Sequence, residues 1–300
     1  MSEIIEKILK LKEEKGAVIL AHNYVNAEIQ DIADFTGDSL ELSIKAKNSK
    51  AGVIVFCGVS FMAETAKLLS PDSTVLHPVK EAGCAMADMA KAEDIAAYRK
   101  KNPDTVLIAY VNTTAAAKAQ VDICCTSANA EKVVSSIPED KKIMFLPDRN
   151  LGTNVINSTG RQMELWPGFC PIHNRVEPKV IREARKAHPE ALVMVHPECH
   201  PVTVAEADIV LSTGGMLRAV KESDAKEFIV GTEYGIIHRL QKENPDKKFY
   251  PLEPRPTCQD MKLITLEDIL HCLESGDGEV ILDPAVMERA RLPIDRMLEL

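Results

Sequence analysis

No stretch of this 300-residue sequence stays apolar for the length that a bilayer crossing requires. A membrane-spanning helix is therefore excluded. The N-terminus, MSEIIEK, alternates charged and apolar residues and lacks the apolar segment of a secretory signal. The expectation is a cytoplasmic protein with no membrane partner. Basic residues form no long run, and 45 acidic against 36 basic residues leave a net charge of −9. Non-specific affinity for nucleic acid comes mainly from Lys and Arg, so no nucleic-acid partner is expected. A small anionic substrate needs only a few local donors and stays open. The short C-x-x-C metal spacing is also missing, although the chain has eight cysteines. Disulfides are a poor default in a reducing cytosol. The cysteines must therefore be judged by their place in the architecture.

What the sequence does contain is a repeat. Three apolar runs end in polar residues: Gly16–Tyr24 (GAVILAHNY), Thr105–Asn112 (TVLIAYVN) and Ala191–Glu198 (ALVMVHPE). Continuous runs of this kind suit strands buried on both faces. Tyr110 follows His22 by 88 positions, and His196 follows Tyr110 by 86. Asp34, Asp122 and Asp208 keep the same intervals, and Ser39, Ser127 and Thr213 lie five residues after them. A second set of apolar runs follows at 52–56, 142–146 and 227–230. Each unit then reaches one cysteine: Cys84, Cys170 and Cys258.

Units of about 87 residues are too long for the common solenoid repeats but long enough for a layered α/β domain. Helical stretches at 62–69, 93–101 and 178–188 separate the strands. The predicted fold is three similar three-layer α/β/α domains with parallel sheets, related by pseudo-threefold symmetry around a central active site. They cover 1–103, 104–189 and 190–300. The helix before Ala17 matches the helix that closes each later unit, so the first unit is expected to borrow from the C-terminal tail.

Ligands of parallel sheets bind beyond the carboxyl ends of the strands. His22, Tyr24, Tyr110, Asn112, His196 and Glu198 sit at such ends. Ser39, Ser127 and Thr213, with Ser212, precede helical stretches. Such positions serve as N-caps or, through free N–H groups, as anion sites. The three repeat-matched cysteines admit three readings: buried structural thiols, a zinc site, or a cluster held by one thiolate from each unit. Cys57, Cys124, Cys125 and Cys272 break the repeat and read as core, with Cys199 nearer the cavity. His77, His188, His238 and His271 read as ordinary histidines. The three repeated aspartates read as contacts holding each unit together, and Arg149 as a phosphate contact or an ion pair.

At this point a resemblance becomes specific. The segments AHNY (21–24), DIADFTGDS (31–39), YVN (110–112), TSAN (126–129), PDRNL (147–151), WPGFCPIH (166–173), HPEC (196–199), STGGM (212–216) and GTE (231–233) span nearly the whole chain in order. The chain resembles the quinolinate synthase family, iron–sulfur enzymes of de novo NAD biosynthesis. It departs in lacking the extra cysteines that some members carry after the position of Cys258.

The resemblance implies one 4Fe-4S cluster on Cys84, Cys170 and Cys258, with one open iron acting as a Lewis acid in dehydration. It implies condensation of iminoaspartate with dihydroxyacetone phosphate to quinolinate, releasing phosphate and water. Tyr24 and Glu198 are then the leading acid/base candidates, with His22, Tyr110 and His196 as further catalytic candidates. Substrate binding is expected from His22, Ser39, Tyr110, Asn112, Ser127, His173, His196, Glu198, Ser212 and Thr213. An iminoaspartate-producing enzyme is the transient protein partner such a reaction suggests. The competing classes are a zinc or iron-free lyase on the same fold and a non-enzymatic iron–sulfur carrier. A carrier would call for a fourth thiolate and no polar cavity.

Overall fold

The computed structural model describes residues 2–300. The apolar runs form strands because their Val, Ile and Leu side chains pack on both faces of a sheet. The first sheet holds β1 (Ala17–His22), β2 (Phe35–Gly37), β3 (Val53–Cys57) and β4 (Thr74–Leu76). The second holds β5 (Thr105–Tyr110), β6 (Ile123–Cys125), β7 (Lys142–Leu146) and β8 (Glu164–Leu165). The third holds β9 (Leu192–Val195), β10 (Ile209–Val210), β11 (Glu227–Gly231) and β12 (Lys248–Pro251).

All strands pair in parallel. The orders are β2-β1-β3-β4, β6-β5-β7-β8 and β10-β9-β11-β12, one pattern used three times. In each sheet the strand order reverses beside the first strand. That reversal opens a crevice at the carboxyl ends of β1, β5 and β9. The fold is α/β with three similar layered units.

The repeated aspartates explain part of the regularity. Asp34, Asp122 and Asp208 each accept a 2.8 Å hydrogen bond from a backbone N–H of the first strand, at Ile19, Leu107 and Val193. Each also pairs with a base from the preceding helix: Lys12, Arg99 or Arg185. These carboxylates tie helix, first strand and second strand together, away from the carboxyl ends of the strands. Their role is internal to each unit.

The tail breaks the threefold pattern. Leu266–Ser275 packs against the N-terminal helix Glu3–Glu14 and β3. Pro284–Leu298 packs against β6 and the short helix Ala115–Lys118. Ala290, Ile294 and Met297 join the core of the second unit. The stretch 190–300 therefore outruns its own sheet. The tail's apolar faces find cover on the first two units, where a helix layer is still incomplete. The first unit does draw on the tail.

Candidate functional site

The three central strands end at equivalent points. His22 and Tyr110 are the last residues of β1 and β5, and His196 follows β9 directly. Tyr24, Asn112 and Glu198 come two residues later. After β1 and β9 the backbone turns so that the N–H of Tyr24 donates to His22 Nδ1 at 3.2 Å and that of Glu198 to His196 Nδ1 at 3.3 Å. With Nδ1 accepting, the ring proton sits on Nε2 of each histidine. His196 Nε2 lies 3.2 Å from Ser127 Oγ. Burial holds both rings neutral. It lowers the pKa of His196 to about 3, and that of His22, with His196 as a neighbour, also to about 3.

One cavity is lined by every residue singled out above as a catalytic, substrate or metal group, apart from Ser212. Ser39 and Thr213 are the first residues of helices Ser39–Asn48 and Thr213–Glu222. Their caps are other residues, Asp38 and Ser212. Asp38 accepts from the N–H groups of Leu40 and Glu41, in a capping box with Glu41. In the second unit Asn129 holds the N-cap position without capping, its Oδ1 accepting instead from Thr126 N–H, and Ser127 faces the cavity.

Ser212 thus differs from expectation. Its hydroxyl accepts from Gly215 N–H and donates to Asp38 Oδ2 at 3.3 Å, so it is turned away from the cavity. Asp38 also accepts from Gly214 N–H. A Cβ at 214 would lie 2.5 Å from Asp38 Oδ2, so only glycine allows the two helix starts to approach this closely.

The centre is a hydrogen-bonded chain. Tyr110 Oη donates to Glu198 Oε1 at 2.5 Å. His173 Nδ1 lies 2.7 Å from Glu198 Oε2, and His173 Nε2 lies 2.8 Å from Thr232 Oγ1. Thr232 Oγ1 is in turn 2.6 Å from Tyr24 Oη. With His173 Nδ1 donating to Glu198 and Nε2 accepting, the directions are self-consistent: Tyr24 to Thr232, Thr232 to His173, His173 to Glu198. Burial opposes ionisation of Glu198, yet the two imidazoles, His173 and Tyr110 as donors hold its carboxyl below the usual range. Burial and the Glu198 charge push the Tyr24 and Tyr110 hydroxyls well above theirs.

No Lys or Arg lines this cavity among the described residues. Anions must be held there by hydroxyls, imidazoles, amides and helix starts. Asn112 Oδ1 is buried without a partner. A buried acceptor left open at a cavity wall suits a ligand N–H or O–H.

Cys84, Cys170 and Cys258 bring one thiol from each unit to the same cavity. Each precedes a short helical turn: Ala87–Met89, Pro171–Asn174 and Gln259–Lys262. The backbone N–H three residues on, at Ala87, His173 and Met261, points at each sulfur. Burial raises the thiol pKa of Cys258 to about 11 and of Cys84 to about 12; Cys170, with Glu198 nearby as well, is raised further. Such thiols ionise only when a metal takes the proton's place. Three soft donors at one cavity, each met by an amide, form a set that fits an iron–sulfur cluster. Cys170, His173 and Glu198 also form a tighter group, with ligand atoms all within 4.8 Å of one another.

The remaining cysteines stand elsewhere. Cys57, Cys124, Cys125, Cys199 and Cys272 are buried in cores. Cys199 packs beside Val193 and Ile229, not at the cavity. Arg149 is exposed and stacks over Phe169 at 4.7 Å, meeting neither a carboxylate nor the cavity. The sequence reading gave no role to Thr232, Glu233 or Asp148. All three follow a third strand of a sheet, a position the repeat could have marked.

The family model described as Quinolinate synthetase A protein matches residues 6–299. The chain belongs to this quinolinate synthetase family. It is 48% identical to Quinolinate synthase 2 of Methanosarcina acetivorans over 295 residues, 98% of this chain and 95% of that one. It is 48% identical to the quinolinate synthase of Desulforudis audaxviator over 298 residues, 99% and 98% of the two chains. The Geobacter metallireducens quinolinate synthase is 47% identical over 295 residues, 98% and 97% of the two. Similarity of this extent to the family runs through all three sheets and the tail.

Proposed function

We propose that this enzyme condenses iminoaspartate with dihydroxyacetone phosphate to quinolinate, releasing phosphate and water, in the cytoplasm as a step of NAD biosynthesis. One observation carries the reading. Units 1–103, 104–189 and 190–300 each send one thiol to the cavity that holds the Tyr110–Glu198–His173 chain. Cys84, Cys170 and Cys258 would hold one 4Fe-4S cluster. When bound, its open iron supplies a Lewis acid for loss of a hydroxyl.

The chain's own residues supply the rest. Both substrates are anions, and the cavity meets them with Ser39 and Thr213 at helix starts, with the Ser127 hydroxyl and with the Nε2–H groups of His22 and His196. Asn112 Oδ1 accepts from the imine or a hydroxyl. Ring formation needs repeated proton transfers. Glu198, held ionised, is the base. Tyr24, held protonated, is the acid. Thr232 and His173 join them. Once Glu198 has taken a proton and Tyr24 has given one, the Thr232 hydroxyl and the His173 ring reverse their hydrogen bonds, so the proton passes from Glu198 back to Tyr24 without crossing bulk water. A transient contact with an iminoaspartate-producing enzyme would spare an unstable substrate from hydrolysis.

The tight group of Cys170, His173 and Glu198 favours a second reading, one metal ion in place of a cluster. Anaerobic iron, sulfide and zinc analysis separates the two. About four irons and matching sulfide per chain support the synthase reading. Stoichiometric zinc without sulfide would eliminate it. Quinolinate formation from the two substrates tests the reaction itself.

A further inference from the structure

The repeat extends into the backbone that carries the cysteines. The N–H groups of Ser60, Arg149 and Tyr234 donate to Ala82 O, Gly168 O and Pro256 O at 2.8, 2.9 and 3.1 Å. Each acceptor lies two residues before a cysteine. All three cysteine loops are thus clamped to the end of a third strand in one manner. At residue 168 the approach leaves no room for a side chain, since a Cβ would lie 2.6 Å from Pro147 O.

The residue just before each donor is where the units differ. It is Val59, Asp148 and Glu233. Asp148 Oδ2 accepts from Cys170 N–H at 3.2 Å, and Glu233 Oε1 from Cys258 N–H at 3.4 Å. Val59 has no acceptor to offer. Asp148 and Glu233 are both fully buried. Asp148 uses Oδ1 to cap helix Arg149–Thr159, accepting from Asn150 and Leu151 N–H. Capping needs only one oxygen, which Asn, Ser or Thr also supplies. The second oxygen serves the cysteine. Glu233 likewise accepts from Gly235 N–H and pairs with Lys262 at 3.0 Å.

We propose that Asp148 and Glu233 are positioning residues that fix the backbones of Cys170 and Cys258, so that two of the three thiols are aimed before a cluster is present. The inference rests on the cluster reading above. Partners behind a metal ligand commonly change metal affinity about 10- to 100-fold when removed. Asp148→Asn keeps the capping oxygen and turns an NH₂ toward Cys170 N–H, so a donor faces a donor. Glu233→Gln does the same at Cys258, across a longer contact.

The test uses the full chain, reconstituted anaerobically with iron and sulfide. The readouts are the rate of iron release to a chelator, the EPR line shape of the reduced cluster and the melting temperature of the metal-free protein. Asp148→Asn is expected to release iron about tenfold faster or more, with an altered line shape and a metal-free melting temperature near that of the wild type. Glu233→Gln should change in the same direction and by less. Release rates within twofold of the wild type in both variants would overturn the proposal, as would iron loss that merely tracks a lowered melting temperature. A wild-type chain that takes up no iron would instead sink the cluster reading, and this inference with it.

Discussion

Tyr110, from the second unit, and Glu198, from the third, share a 2.5 Å hydrogen bond between buried groups. The carboxylate is also met by His173 from the other side. In Glu198→Gln one of these two donors must face an NH₂ group. A buried donor left unpaired costs about 1–3 kcal/mol, within reach of a folded domain's stability. Loss of the base itself should lower quinolinate formation by about 10²- to 10⁴-fold. Cluster iron should stay at the wild-type level. An anaerobic assay beside iron analysis checks both, and near-wild-type turnover would remove Glu198 from the chemistry.

Thr232 joins Tyr24 to His173 through one hydroxyl. Val has nearly the same shape and no hydroxyl. Thr232→Val should therefore cut kcat on the order of tenfold or more while moving KM little, because the cavity wall is preserved. Thr232→Ser should restore most of the loss. Steady-state kinetics of the pair would decide, and equal kcat in Val and wild-type proteins would break the proposed relay.

The cysteines sort into two groups by surroundings. Cys84→Ala, Cys170→Ala and Cys258→Ala are each expected to abolish cluster binding, since each removes one unit's thiolate. Cys199→Ala is expected to keep its iron, because Cys199 packs in the outer core of the third unit. Iron and sulfide per chain after reconstitution measure this. A Cys84→Ala protein with a full complement would refute the ligand assignment.

Much of this arrangement was legible in the sequence because the repeat made single residues into positions seen three times. His22, Tyr110 and His196 fall at equivalent strand ends, and periodic runs such as Lys142–Leu146 matched the strand bounds. Local chemistry was harder to read. Ser212 and Thr213 are adjacent polar residues, and only the Gly215 N–H that Ser212 Oγ accepts tells which one caps. Thr232 looked like an ordinary residue after a strand. Its role depends on His173 and Tyr24, which are distant in sequence. The short strands β4, β8 and β12 carry too few residues to show a period. The repeat pointed the tail to the first unit, but nothing showed that its last helix covers the second, because an amphipathic helix does not say which unit covers it.

The repeated aspartates offer a stability test free of the active site. Asp122 accepts from Leu107 N–H and pairs with Arg99. The exposed ion pair contributes little, about 0–1 kcal/mol. The backbone N–H left unmet costs more, so Asp122→Ala should lose about 1–3 kcal/mol. Urea unfolding measures the loss. Turnover well below the melting temperature should be unchanged, and a large drop in kcat there would assign Asp122 a role this geometry does not provide.

Acid should weaken the metal-free protein earlier than its carboxylates alone would. His22 and His196 are held neutral by burial, with pKa values of about 3 against an ordinary 6.5. Between those values the unfolded chain binds protons that the folded chain does not. Stability is therefore full above pH 6.5 and falls as pH drops toward 3, by about 1.4 kcal/mol per unit for each such histidine. Glu198 acts in a lower window. Its carboxyl is held below the usual 4.5, so its contribution is present above 4.5 and lost only below that. Glu198 thus stays ionised from 6.5 to 4.5, whereas Asp148, whose carboxyl burial raises to about 8, binds its proton in the folded state there and works against the histidines, so their effect is read as a difference between two proteins. Urea unfolding at pH 7.5 and 5.5 should show in the wild type the histidines' loss of stability set against the gain at Asp148. In His22→Gln that loss should shrink by about 1.4 kcal/mol. An equal loss in both proteins would show that His22 is not buried neutral at the cavity.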